Sequence, residues 1–404
     1  MTVVVAPWVG ALLAVASLPF VLAAAYLALL AAWSRRLLPR AAGSSVRFDI
    51  IVPAHDEESG IVATIESLFA IAYPRDRFRV TVIADNCSDA TAARARGAGA
   101  RVLERADATR RGKGHALGFA YEAVLAQRFA DAVVVIDADT LVSANLLSEF
   151  AALLGTGAEA IQAAYGVRNA SATWRTRLMH IAFTLFHDVR SLGRERLGLS
   201  CGLRGNGMCF SRDLLRRVPP SAHSIVEDVE QGIQLGLAGV RIHYAADAEV
   251  LGEMPEDALA ARSQRERWEG GRLALARRHV PALLRAAIGR RDRVTLDLAV
   301  DLLVPPLSIL VGLTLLGACV ALLAGRAGAG ASSLVGWLIA AAGICTYVGR
   351  GVVLSGAGLG AIVDLAWTPV YMIWKLTLLK PFRPRSDSWV RTTRNSSVME
   401  RDGD

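Results

Sequence analysis

The first 34 residues contain no charged side chain, which argues against a solvated N-terminal segment. Val9 to Ala32 is long enough to cross a hydrocarbon core of roughly 30 Å. A basic n-region is also missing and the apolar run is too long for a cleaved signal peptide, despite Ala23, Ala24 and Ala25, so an uncleaved anchor is expected. The five cysteines are scattered, odd in number and form no C-x-x-C pair, which excludes a disulfide framework and leaves reduced thiols. The seven histidines show no zinc spacing. No G-x-G-x-x-G follows the first strand-like segment, and RGKGHAL (111–117) lacks the glycine spacing and the Ser/Thr of a P-loop. A Rossmann dehydrogenase and a P-loop ATPase are therefore disfavoured. The net charge of +8 comes without interleaved aromatic and basic residues, so it points to anionic lipid headgroups or a phosphorylated substrate and not to nucleic acid.

What is present in quantity is apolar sequence: 53% of 404 residues, enough for a full-sized soluble domain with segments left over. Those segments sit at the two ends. Leu302 to Gly325 is uncharged, and after Arg326 a second uncharged run reaches Gly349; each has the length of one membrane span. A further apolar stretch, Leu359 to Leu379, carries Asp364 and Lys375 and is open to crossing, re-entering or lying along the surface, the last being favoured. Arg35, Arg36 and Arg40 follow the first span and KPFRPR (380–385) follows the last apolar stretch, which places both flanks in the cytoplasm and fits three crossings. The expected organisation is an anchor over 1–40, a cytoplasmic catalytic domain over 46–290, C-terminal transmembrane and interfacial helices over 296–380 and a basic tail over 381–404. The expected location is the inner cell membrane, crossed more than once.

Between the anchors, short apolar runs alternate with longer mixed segments, the pattern of βα units around a largely parallel sheet. Candidate strands are Phe48 to Pro53, Phe78 to Ala84, Arg101 to Arg105, Ala132 to Ile136, Ala160 to Tyr165 and Val240 to Tyr244. Candidate helices are Gly60 to Ala70, Ala90 to Gly97, Gly114 to Gln127, Ala144 to Leu154 and Thr173 to Leu197. Ligands in such sheets bind beyond the carboxyl ends of the strands, and the acidic clusters fall there: VPAHDEE (52–58), ADNCSD (84–89) and IDADT (136–140).

Asp137 and Asp139 are two residues apart, so on an extended chain they would face the same way and could share one hard cation such as Mg2+; a solvated turn is the plainer reading of that pair alone. A cleft of carboxylates would repel a diphosphate unless a cation and a basic side chain intervened, and Lys113 and Arg111 are candidates, although a charge run before a helix explains them as well. Glu227 and Asp228 open an amphipathic segment, where the helix dipole alone favours acids, yet an Asp beside a substrate hydroxyl also serves as a general base. Gln264, Arg267 and Trp268 fall on one helical face, offering a ring beside a guanidinium fork or an interfacial surface.

With these residues in order, the chain resembles the membrane-bound family 2 glycosyltransferases, the group that includes cellulose, chitin and hyaluronan synthases and ceramide glucosyltransferase. The resemblance covers about Phe48 to Arg272 and rests on Asp85, the Asp-x-Asp at Asp137 and Asp139, the Glu227–Asp228 pair and the Q-x-x-R-W of Gln264, Arg267 and Trp268. It implies a GT-A fold: an α/β, mostly parallel sheet flanked by helices, here with transmembrane helices at both ends. It also implies a nucleotide-sugar donor, usually a UDP-sugar, and inversion at the anomeric carbon. On this resemblance Pro53, Ala54 and Glu57 hold the nucleoside together with Asp85. Asp137 and Asp139 hold the diphosphate through Mg2+ or Mn2+, and Lys113 assists at the phosphates. Asp228 takes the acceptor proton, Arg267 helps neutralise the leaving group, and Trp268 lies against the acceptor. Gly205, Asn206 and Gly207 resemble the family segment near the acceptor, although a plain turn into the next strand is an alternative. His55 and Asp56 stand where the family often has an aromatic or similar residue followed by Asn.

The resulting expectation is a hexosyltransferase that places a β-linked sugar on a lipid or glycan acceptor at the membrane, in envelope glycolipid or exopolysaccharide synthesis. A processive synthase with its own export path is the alternative within the class. A membrane transporter or scaffold with a nucleotide-sensing domain is the alternative outside it.

Overall fold

The computed structural model describes residues 6–36, 45–220, 227–254, 258–358 and 360–368, with the backbone alone for 7, 258–271 and 362. An apolar helix, α1 (Pro7–Trp33), leads into the α/β domain. There β1 (Phe48–Ala54), α2 (Ile61–Phe69), β2 (Phe78–Asp85), α3 (Thr91–Gly97), β3 (Arg101–Arg105), α4 (Lys113–Ala126) and β4 (Ala132–Val135) alternate as the sequence pattern predicts. The chain continues through β5 (Leu141–Val142), α5 (Leu146–Gly155) and β6 (Ala160–Val167). The helix expected over 173–197 is α6 (Trp174–Phe183), a π-turn (Thr184–Val189) and α7 (Arg190–Arg196) in succession. Then come β7 (Met208–Ser211), α8 (Arg212–Arg217), α9 (Glu227–Leu237) and β8 (Ile242–Gly252), followed by the 33-residue α10 (Ala258–Arg290).

The strands form one eight-stranded sheet in the order β3-β2-β1-β4-β7-β6-β8-β5. Its first half is parallel, as expected. The second half is mixed: β7 runs antiparallel to both β4 and β6, and β5 runs antiparallel to β8, while β6 and β8 are parallel. This reversal builds the site. Val135 pairs with Met208, so the turn leaving β4 and the turn entering β7 lie side by side at one end of the sheet. Both faces of the sheet are covered, which is why β1 is buried at every position. Ile50 and Val52 pack with Ile61, Ile65 and Phe150 on one face, whereas Ile51 packs with Leu117, Tyr121 and Phe210 on the other.

Among the described residues, three helices are long and apolar enough to cross a membrane: Trp8–Trp33, Leu307–Ala329 and Ser332–Ser355. The first agrees with expectation, but the second begins later than Leu302. Leu302 and Leu303 complete a separate helix, α11 (Arg293–Leu303), and Pro305 and Pro306 then break the chain before α12 (Leu307–Ala324). The cause is local: a residue before proline is pushed out of the helical region, and Val304 is extended at ψ 119°. The last span is α13 (Ser332–Ser355), which starts after Ala331 instead of directly after Arg326. Buried side chains of α1, α12 and α13 pack with Ile181, Leu185 and Val189 of the 174–196 helical segment, so the long apolar helices meet the α/β domain on that segment. Of the stretch 359–379, residues 360–368 are described. They include α14 (Gly360–Ala366), whose buried Asp364 binds Arg177 of α6 at 2.8 Å, and Trp367, which stacks on Trp174. Lys375 and the tail over 381–404 lie outside the described residues.

Candidate active site

The ends of β1 and β2 are knitted together. Ala54 pairs with Ala84, His55 Nδ1 lies 2.8 Å from the Asp85 carbonyl, and the Glu57 amide donates to Thr91 Oγ1 at 2.8 Å. Asp56 has a left-handed backbone (φ 53°) and accepts the Ser88 amide at 2.6 Å. Asp56, Cys87 and Asp89 offer oxygen or sulfur atoms within 4.8 Å of one another, but Asp56 and Asp89 accept backbone and hydroxyl donors that brace the two loops. Pro53, Ala54, Glu57 and Asp85 therefore share one sheet end.

Asp85 is 1% exposed. Its Oδ1 takes Arg105 Nη1 at 2.5 Å and Asn86 Nδ2 at 3.1 Å, while Oδ2 is buried with no hydrogen-bond partner among the described residues. An unsatisfied buried acceptor is costly, on the order of 1–3 kcal/mol, and marks a place for a donor.

The Asp-x-Asp does not continue the strand. β4 ends at Val135, and the Thr140 amide turns back to the Asp137 carbonyl at 3.2 Å, so the argument from an extended chain does not hold for Asp137 and Asp139. Side-chain clamps fix the turn instead. Thr64 Oγ1 donates to the Ala138 carbonyl, Asn206 Oδ1 accepts the Asp137 amide at 3.1 Å, and Asn206 Nδ2 donates to Thr140 Oγ1 at 2.8 Å. Asn206 is fully buried, and Gln162 holds its carbonyl at 2.7 Å. Lys113, the first residue of α4, crosses the gap: Nζ donates to Asp137 Oδ1 at 2.5 Å and to the Gly205 carbonyl at 2.7 Å.

Glu227 and Asp228 form the first turn of α9, and Asp228 approaches Gly205. A Cβ at Gly205 would lie 3.4 Å from Asp228 Oδ2 and 3.7 Å from Lys113 Nζ, and the residue sits at φ +78°, so a glycine there leaves the lysine and the aspartate facing one another. Burial pushes the Glu227 carboxyl up to about 7, opposed by Lys113 and reinforced by Asp228. Burial likewise raises Asp228, against the Val229 amide, Lys113 and Arg204. Burial opposes the Lys113 charge as well, yet Asp137 and Glu227 outweigh it and the amine is held above its ordinary value. The donor set at Asp137 and Asp139 is hard carboxylate oxygen, which suits Mg2+ or Mn2+ and not a soft metal.

With Asp85, Lys113, Asp137, Gly205 and Asp228 gathered at one end of the sheet, comparison with known proteins decides the family. The family described as "Glycosyltransferase like family 2" matches residues 46–271, more than half of the chain. The chain belongs to this family. A probable glycosyltransferase of Bacillus subtilis, YdaM, is 24% identical over 62% of this chain and 60% of its own length. The β-monoglucosyldiacylglycerol synthase of Synechocystis sp. is 29% identical over 55% of this chain and 47% of its own. The chain thus spans about half to three-fifths of these relatives. A mannosyltransferase from Pyrobaculum calidifontis, solved with GDP-Man and Mn2+, superposes with a TM-score of 0.55 at 17% identity, covering 91% of this chain and 96% of its own. That likeness establishes the GT-A-like mixed sheet with apolar helices at both ends.

Within this family 2 fold, Gln264, Arg267 and Trp268 lie on α10, which runs unbroken through them, so their spacing does put them on one helical face; their side chains are outside the described residues. Sequence reasoning missed four kinds of residue. Arg105 neutralises Asp85, and Gln162 orders the 204–207 turn. The charge of Arg204 favours the ionised Asp228 carboxyl. Finally, a buried ionic core joins Arg190 and Arg194 of α7 to Asp297 and Asp301 of α11, with Tyr26 of α1 bonding to both Asp297 and Arg194. The signal for that core was present in two pairs of like charges, each at i, i+4 in a helical pattern, so that each pair shares one helix face.

Proposed function

We propose that this family 2 glycosyltransferase is a membrane-anchored, cation-dependent, inverting hexosyltransferase that moves a sugar from a nucleotide donor to a lipid or glycan acceptor at the cytoplasmic membrane surface. The convergence of Asp85, the Lys113–Asp137 pair and Asp228 on one end of the sheet carries the reading. Asp85 has one oxygen committed to Arg105 and one open acceptor, which suits a base presenting a single ring N–H, as uracil does, better than guanine with its adjacent pair of donors. A UDP-sugar is therefore the favoured donor. Asp137 and Asp139 would hold a divalent cation, which neutralises diphosphate charge when bound. Lys113 adds a positive charge on the same side of the cleft. Asp228, which approaches Gly205, is placed to take the proton from an acceptor hydroxyl as that oxygen bonds to the anomeric carbon; one base and one displacement invert the centre and give a β-linkage from an α-linked donor.

The test is purified protein in detergent offered UDP- and GDP-hexoses with a total lipid extract, with and without EDTA, read by mass spectrometry. The expected result is a hexosyl-lipid and free UDP, both lost with EDTA and restored by Mn2+. Binding of neither nucleotide, with no hydrolysis or transfer from any donor, would refute the reading and favour a scaffold instead.

A further inference from the structure

A second cation, Arg204, acts on Asp228 through its charge, and the contacts of Arg204 lead to the long apolar helices. The Arg204 guanidinium lies 4.4 Å over the Phe186 ring, and Arg190 lies 5.0 Å from the same ring. Arg190 in turn bonds Tyr347 of α13 at 3.0 Å. The path from the base to the last span is therefore Asp228, Arg204, Phe186, Arg190 and Tyr347.

Charge along this path does not balance. Asp301 contacts Arg190 at 3.0 Å, Arg194 at 2.8 Å and Arg272 at 3.3 Å, and Asp297 contacts Arg194 at 2.9 Å. Among the described residues, no carboxylate pairs with Arg204. Its bonds are to neutral carbonyls, Cys201 at 2.9 Å and Leu203 at 3.5 Å, and its Nε is buried without a partner. Asp301 and Asp228 act on Arg204 only from beyond ion-pair distance, and Arg194 and Arg190 oppose them; a largely enclosed guanidinium without a hydrogen-bonded counter-anion is costly, and a fork of N–H donors matches a phosphate or carboxylate in shape. The residue is still partly exposed, so a ligand can reach it.

We propose that Arg204 binds a phosphate carried by the acceptor, so that the substrate is an anionic phospholipid with a free headgroup hydroxyl. This rests on the glycosyltransferase reading and deepens it. The phosphate sits on the Arg204 fork at the Phe186 side of Asp228, which sets the headgroup hydroxyl, a few bonds away, against the carboxylate. The hydroxyl oxygen then bonds to the anomeric carbon, the bond from that carbon to the diphosphate breaks, the proton passes to Asp228 and the nucleoside diphosphate leaves. Lys113, bound to Asp137 and Gly205 on the donor side, keeps the leaving phosphates apart from this second anion site.

Phosphatidylglycerol, with both phosphate and hydroxyl, and diacylglycerol, with a hydroxyl alone, serve as acceptors in detergent. The nucleotide sugar is the one that wild type turns over. Wild type is expected to show a KM for phosphatidylglycerol at least about tenfold below that for diacylglycerol, since a charge-assisted bond is typically worth that much. In Arg204→Gln the ratio falls to about one, and Arg204→Lys recovers part of it. The donor KM stays within about twofold and the melting temperature is retained. Soluble glycerol phosphate is expected to inhibit wild type more weakly than the lipid binds; inhibition as strong as lipid binding would assign the site to free phosphate. Equal KM values for the two lipids in wild type overturn the proposal while leaving the transferase reading intact. So does a rise in donor KM for Arg204→Gln, which would place the arginine on the leaving diphosphate, and so does loss of both acceptors together with a lowered melting temperature. Absence of turnover by wild type with any acceptor instead defeats the underlying reading.

Discussion

Replacing Lys113 by Met keeps an unbranched apolar stem and removes the charge together with the hydrogen bonds to Asp137 and Gly205, and the pH profile separates the two tasks of this lysine. Its ammonium and Asp228 Oδ2 are separated by no more than the 3.7 Å and 3.4 Å that each keeps from the Gly205 Cβ position. At a separation of about 7 Å and an effective dielectric of ~20, the attraction is roughly 2 kcal/mol. Since ~1.4 kcal/mol corresponds to one pH unit, loss of that attraction raises the pH at which the carboxylates ionise. The direction follows from charge: without the cation the ionised acids are disfavoured, so the rising limb of the rate profile moves to higher pH. The assay is kcat/KM for the acceptor between about pH 5 and 9, at saturating donor and Mn2+, with nucleoside diphosphate release as the readout. For Lys113→Met the inflection is expected at least about one pH unit above that of wild type, and transfer at pH 8.5 should recover a larger share of wild-type activity than transfer at pH 6.5. An unmoved inflection, with activity lowered by the same factor at every pH, would show that Lys113 acts on the donor alone and that its charge does not reach Asp228.

Asp228→Asn is expected to lower transfer by about 10^2- to 10^4-fold while leaving donor affinity by calorimetry close to wild type; undiminished nucleoside diphosphate release with acceptor present would remove Asp228 as the base. Asp139→Ala should weaken Mn2+-dependent binding of the nucleoside diphosphate as well, and cation-independent binding unchanged from wild type would contradict that. Glu227 is raised by burial from 4.5 to about 7, so the folded protein binds a proton that the unfolded chain has released; its contribution to stability is full below about 4.5 and is lost as pH rises through about 7. Glu227→Gln should flatten that part of the melting profile, and an unchanged slope would disprove the burial. Gly207 sits at φ +70° with Val250 2.8 Å and Ala163 3.0 Å from where a Cβ would be. Gly207→Ala should therefore cost about 2–4 kcal/mol, combining left-handed strain with overpacking. Gly205→Ala, with no neighbour closer than 3.4 Å, should cost only about 1–2 kcal/mol by strain, and melting curves of the two variants would rank them.

Much of the parallel half of the fold was legible because its strands carry the apolar side chains that a sheet buried on both faces requires, and each ends in a polar cluster. Asp85, Asp137 and Asp228 could be found for the same reason: acids at strand ends and at a helix start are conspicuous in an otherwise apolar pattern. The second half was harder. β7 is four residues long and β5 two, too short for a periodicity to register. The Asp-x-Asp was identified by type, but its geometry was misread because the turn is imposed by Thr64 and Asn206, which lie 74 and 69 residues away from their partners. Leu302 was assigned to a span by hydropathy. The tandem prolines at 305 and 306, which close α11 and delay the span, are a backbone effect that an average over apolar side chains does not register.

That correction moves Asp301 from the edge of a membrane segment to the centre of the protein's ionic core, and this bears on how the cleft meets the bilayer. Asp301 holds arginines from α7 and from α10, and Asp297, one turn earlier, holds Tyr26 of the first span. α11 also packs against α9, with Ile233, Leu298, Ala299 and Leu302 in one apolar cluster, and α9 begins with Glu227 and Asp228. Removing one partner from a buried ion pair commonly costs about 3–5 kcal/mol, whereas an exchange for apolar groups of equal volume can be neutral. The core therefore adds little to net stability but heavily penalises any arrangement in which the first span, α7 and α11 are not docked together. Buried charge here fixes position more than it supplies energy, and what it fixes is the register between the first long apolar helix and α9, the helix that begins with Glu227 and Asp228.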